Sequence, residues 1–136
     1  MSYQTLISVE ELRALPPGSY ALFDCRFDLG KPAWGESAYA EGHLPGARHA
    51  HLDRDLAAPI TATSGRHPLP SREEFARRVG SWGVGPQTQV VVYDQGNGMY
   101  AARLWWMLRW IGHRDVALLN GGLAAWSAAG LPLSTQ

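Results

Sequence analysis

Apolar and polar positions along this chain follow two periods. Three compact apolar runs, Tyr20 to Asp24, Gln89 to Tyr93 with Val90, Val91 and Val92 in succession, and Val116 to Leu119, are bounded by Gly, Pro, Asn and Asp. Such runs predict short strands of a parallel sheet covered on both faces. Between them the spacing turns helical. Ser8-Val9-Glu10-Glu11 has the form of a capping box before Leu12 and Leu15, and Pro16-Pro17-Gly18 stops that segment. A short helix is predicted over Ser37 to Glu41, closed by Gly42, and Pro45-Gly46 then turns the chain into a brief strand. Ser71-Arg72-Glu73-Glu74 opens a helix with Phe75, Val79 and Trp82 on one side and Gly83 past its end. Two more helices are predicted, Met99 to Ile111 and Leu123 to Ala129, each followed by glycine. Arg26 to Gly35 and Asp53 to Pro70 lack periodicity and read as loops. Strands alternating with helices predict an α/β class, an open, mainly parallel sheet in three α/β/α layers.

Length and composition narrow this picture. With 136 residues, 46% hydrophobic, the chain predicts one domain over 1–136 with its core in 7–133. Twelve Lys and Arg balance twelve Asp and Glu, so no positive field favours nucleic acid or an anionic membrane. No apolar run reaches the ~20 residues of a spanning helix, and a cytoplasmic location is expected. The single cysteine, Cys25, excludes an internal disulfide. The tail from Pro132 reads as the start of a linker.

Asp94 is the leading candidate for chemistry. It closes an inner strand and is followed by Gln95-Gly96-Asn97-Gly98-Met99 and a helix, at the sheet edge where loop amides and a helix N-terminus converge on anions. A phosphoryl-accepting carboxylate would want a second aspartate at position 96, which is Gly96. A receiver-type phosphorylation site would want an acidic pair, and Asp24 and Asp28 are poorly spaced for it. The remaining reading is a carboxylate that caps the amides of Gly96 to Met99. Cys25 lies beside Arg26 but has no glycine-rich cradle after it, so it reads as a core residue. His49 and His51 are spaced for one strand face, with Asp53 as a third ligand, yet the surrounding pattern favours packing over metal. No metal or other cofactor is expected. Trp105, Trp106, Met107, Trp110 and Ile111 cover most of their helix, as core residues or as an interdomain contact.

The motifs together are similar to a known family. Gly42-His43-Leu44-Pro45-Gly46-Ala47, His67-Pro68-Leu69-Pro70, Val91-Val92-Tyr93-Asp94, Ala101 to Leu108 and Leu119 to Trp126 resemble a rhodanese domain. More narrowly, Ile7 to Leu133 resembles the N-terminal half of the two-domain thiosulfate and 3-mercaptopyruvate sulfurtransferases. That resemblance implies a persulfide-forming cysteine where this chain has Asp94, and hence an inactive domain with a degenerate loop over Asp94 to Met99. It implies as partners a C-terminal catalytic rhodanese domain of the same polypeptide and a small sulfur donor, with no cofactor. Choice of donor is implied to rest mainly with basic residues of that second half. Asp53 and His67 match positions that face the interdomain cleft and form a relay with a serine of the catalytic loop; Pro68 departs from the Met usual there, and a structural role for His67 stays open. The alternative to a sulfurtransferase half is a stand-alone binding or regulatory module.

Overall fold

The computed structural model describes residues 2–136. In chain order its elements are β1 (Leu6–Ile7), α1 (Val9–Ala14), β2 (Tyr20–Asp24), α2 (Trp34–Glu41), β3 (Arg48–His49), α3 (Arg72–Ser81), β4 (Gln89–Tyr93), α4 (Ala101–Trp110), β5 (Val116–Leu119) and α5 (Gly122–Ala128). The strands form one sheet in the order β1-β5-β4-β2-β3, with every pairing parallel. β4 lies in its middle, held by β2 from Tyr20↔Gln89 to Asp24↔Tyr93 and by β5 from Val90↔Val116 to Val92↔Leu118. Neither edge nor face of β4 meets water, which is why three consecutive valines suit it.

Alternate residues of the strands face opposite layers. Phe23, Val90, Val92 and Val116 pack with Phe75 and Val79 of α3 and with Leu104, Met107 and Leu108 of α4. Leu22, Val91, Tyr93, Ala117 and Leu119 pack with Val9 and Leu12 of α1 and Trp126 of α5. The α/β/α architecture expected from the pattern is therefore the one observed.

Five helix boundaries differ from expectation, the end of α4 by one residue at Trp110 among them, and two have a visible local reason. α2 begins at Trp34, three residues early, where Gly35 presses on the backbone of Arg26 so closely that a Cβ would sit 2.0 Å from its carbonyl oxygen. α4 begins at Ala101, two residues late, because Asp94 takes the amides that precede it. α5 starts and ends one residue early, at Gly122 and Ala128. The segment expected to leave as a linker instead lies on the domain: Trp126 Nε1 donates to Pro132 O (2.9 Å), and Ser134 and His43 exchange backbone hydrogen bonds of 2.7 and 2.9 Å. β1 was not anticipated, since two residues carry no periodicity. It is fixed by Leu118 N donating to Thr5 O and Asn120 N to Ile7 O, while the Gln89 amide pairs with both backbone groups of Tyr3.

A buried polar knot joins β2 to β4. Asp24, 0% exposed, accepts from the backbone and guanidinium of Arg26 and, at 2.8 Å, from the Tyr93 hydroxyl. Arg26 donates onward to Gly42 O (2.6 Å), and the Tyr93 oxygen accepts from Leu44 N (3.1 Å). Burial and the adjacent Asp24 carboxylate push the Tyr93 hydroxyl far above its ordinary pKa, so it stays a donor. No helix of the described residues is long and apolar enough to cross a membrane.

Candidate functional site: a self-filled anion cradle beside an apolar cleft

Where β4 ends, the chain doubles back on the carboxylate it has just delivered. Asp94 is 1% exposed. Its Oδ1 accepts from the amides of Gly96 and Gly98, and its Oδ2 from those of Tyr100 and Ala101, all at 3.0 Å. The amides expected as partners were Gly96 to Met99; Met99 N donates instead to Asn97 Oδ1 (2.9 Å). Gly98 makes this curl feasible at φ +83°. The far wall is Gly122, where a Cβ would lie 2.6 Å from Asp94 O, and Leu123 N donates to that same oxygen (2.9 Å). Four converging N–H groups at a helix start form an anion site, and its occupant belongs to the protein.

A cleft of about 340 Å³ opens next to the cradle, lined in part by Phe27, Leu29, Ile60, Asp53, Arg66 and His67. Gln95 Nε2 donates to Phe27 O (2.8 Å), and the Phe27 ring meets both Tyr100 and His67 edge-on, so one aromatic wall is shared by cradle and cleft. Asp53 and His67, paired by the resemblance, do come together: His67 Nδ1 stands 3.1 Å from Asp53 Oδ1. The contact is in ion-pair range without hydrogen-bond alignment, and both ring nitrogens of His67 are left without a hydrogen-bond partner. The loop carrying them is pinned by Arg103 of α4, whose Nη2 donates to Leu56 O (2.7 Å) and His67 O (3.0 Å). Burial lowers the pKa of this guanidinium. The sequence shows Arg103 only as part of an Arg-x-Trp-Trp pattern; a clamp made through carbonyl oxygens leaves no signature in side-chain types.

The remaining candidates lie elsewhere. Cys25 is buried, and desolvation, aided by the carboxylates of Asp24, Asp94 and Asp55, holds its thiol well above the ordinary value. Arg26, beside it in sequence, is spent on Asp24. A thiol held protonated is a poor nucleophile. Iodoacetamide at mildly alkaline pH is expected to leave Cys25 unmodified in the folded protein and to alkylate it in denaturant, and thiosulfate treatment is expected to add no sulfur; intact-mass spectrometry reads both. The rings of His49 and His51 meet edge-on at 5.9 Å, but Asp53 turns away toward His67, and its own amide donates to His51 Nδ1 (3.1 Å). Among the described residues no group of three ligands is placed for a metal. On α4, Met107 is core, whereas Trp106 is 46% exposed and stacks on Trp110, so the tryptophans are only partly interior.

A parallel sheet whose central strand delivers a side chain into a ring of loop amides defines an α/β domain built around an anion-holding loop. A model of the rhodanese-like domain family matches residues 8–129, and the chain belongs to that family. It is 49% identical over 137 residues to a Pseudomonas aeruginosa protein named "Probable 3-mercaptopyruvate sulfurtransferase", covering 98% of this chain and 48% of that protein. Thiosulfate sulfurtransferase of Cricetulus griseus is 42% identical over 102 residues, 72% of this chain and 33% of the relative. Among solved structures, 3-mercaptopyruvate sulfurtransferase from Leishmania major superposes with a TM-score of 0.87 at 33% identity, covering 97% of this chain and 36% of that one. The chain thus spans about half or less of the length of these relatives.

Proposed function

We propose that this chain is the non-catalytic N-terminal half of a two-domain sulfurtransferase, moving sulfane sulfur from thiosulfate or 3-mercaptopyruvate to a thiophilic acceptor such as cyanide. The observation that carries this reading is the cradle filled by Asp94. A carboxylate oxygen forms no persulfide, and four amides already bound to it have nothing left with which to stabilise a thiolate. The half-length match to sulfurtransferases supports a second domain that carries the cysteine.

In this reading the domain supplies one wall of the cleft and the Asp53–His67 pair. His67, its buried ring nitrogens without a hydrogen-bond partner and its backbone clamped by Arg103, accepts a proton from a serine of the partner domain's loop while Asp53 orients and stabilises the ring. The test compares this chain alone with the gene's full product in thiosulfate-to-cyanide and mercaptopyruvate assays. The chain alone is expected to turn over nothing above buffer. The full product is expected to be active, and His67→Asn in it to lower kcat by about 100-fold, the lower range for general acid–base groups. Turnover by the short chain overturns the reading; a natural stop codon after Gln136 favours the stand-alone binding module.

A further inference from the structure

Charges in the cleft are unevenly partnered. Asp53 and His67 face each other at 3.1 Å. Arg66, the sole cation lining the cleft, is exposed and makes no ion pair among the described residues. Around it the walls are hydrocarbon, and Leu29 and Ile60 are left 43% and 68% exposed. The Arg66–His67 segment is no loose flap. Arg103 holds the carbonyls of Leu56 and His67, and Ala58 N donates to Pro68 O (2.8 Å), so the guanidinium springs from a pinned backbone.

We propose that Arg66 seats the carboxylate of a short organic monoanion, an α-keto or thiol acid, whose apolar body lies on Leu29 and Ile60 with its reactive end toward His67. This rests on the sulfurtransferase reading and narrows its donor to the mercaptopyruvate type. The guanidinium fork matches a carboxylate in two parallel hydrogen bonds. A dianion such as thiosulfate fits poorly. One cation neutralises one charge, the nearby Asp53 carboxylate repels the other, and a small, strongly hydrated ion has no hydrocarbon to bury on these walls. Part of donor selection therefore lies in this half, in addition to the basic residues that the resemblance places in the other.

The experiment uses the gene's full product as wild type, Arg66→Ala, Arg66→Lys and Arg66→Glu, with KM and kcat measured for 3-mercaptopyruvate and for thiosulfate. Arg66→Ala is expected to raise KM for mercaptopyruvate about five- to tenfold, the scale of a partly screened charge-assisted contact, with kcat changed less than about twofold. Lysine restores part of the loss, glutamate deepens it, and KM for thiosulfate moves less than about twofold. Equal shifts for both donors, or none, overturn the proposal. In parallel, pyruvate and sulfate are titrated while the His67 ring resonances are followed. Pyruvate is expected to move them in wild type and not in Arg66→Ala, and sulfate in neither. If the full product transfers no sulfur, the sulfurtransferase reading falls while this titration still decides Arg66: pyruvate without effect, or sulfate with an equal one, rejects the seat.

Discussion

Asp94→Ala is expected to destabilise the domain by about 3–5 kcal/mol, even though it alters an inactive loop. The side chain accepts four backbone N–H bonds in a site with almost no solvent access. Hydrogen bonds to a charged acceptor contribute about 1.5–3 kcal/mol each, and a buried donor left unpaired costs about 1–3 kcal/mol. Four such terms do not add in full, because water enters the vacated space and the loop relaxes. In a chain of this size the loss corresponds to a melting temperature lower by about 10–20 °C, and it takes up much of the stability of an ordinary domain, about 5–15 kcal/mol. Asp94→Asn separates charge from shape. It keeps the volume but aims two amide hydrogens at N–H donors, so it is expected to be nearly as damaging as alanine. Calorimetry showing Asn within about 0.5 kcal/mol of wild type would mean that the hollow holds a shape rather than an anion.

The second large effect is expected at Asp24. Its removal leaves Arg26, 5% exposed, without its countercharge, and strands the Tyr93 hydroxyl. Breaking one side of a buried ion pair costs about 3–5 kcal/mol, while replacing both partners with apolar residues is often neutral. Asp24→Ala should therefore unfold at much lower denaturant than wild type, and the double variant Asp24→Leu with Arg26→Met should recover a good part of the difference. Urea titration of the set decides it. A double variant no better than the single would show that the hydrogen bonds to Tyr93 and Gly42 matter more than the unpaired charge.

Strands β2, β4 and β5 were legible residue for residue, because burial on both faces forces a dense apolar run with turn residues at its ends. Helix starts governed by an i, i+3 cap, Ser8 to Glu11 and Ser71 to Glu74, were equally readable. What escaped was decided by backbone atoms. β1 rests on main-chain bonds to β5 and on the Gln89 amide; the start of α4 yields to a carboxylate seven residues upstream; Arg103 acts only on carbonyls. At the site, Asp94 as an amide-capping residue could be inferred from glycine spacing, but which four amides it takes depends on the left-handed turn at Gly98. The meeting of Asp53 and His67 crosses a loop without periodicity, and only family resemblance pointed to it. Arg66 carries no signal in the sequence, since an arginine in a loop is ordinarily a solvated one.

The two-residue strand at the start of the fold has a bearing on solubility. Val116-Ala117-Leu118-Leu119 is short, uncharged and wholly apolar, a composition that can recruit a neighbouring strand when its outer rim lies bare. Leu6 and Ile7 lie along that rim, so in the folded domain the strand's outer backbone groups are already engaged and only a two-residue edge is presented outward.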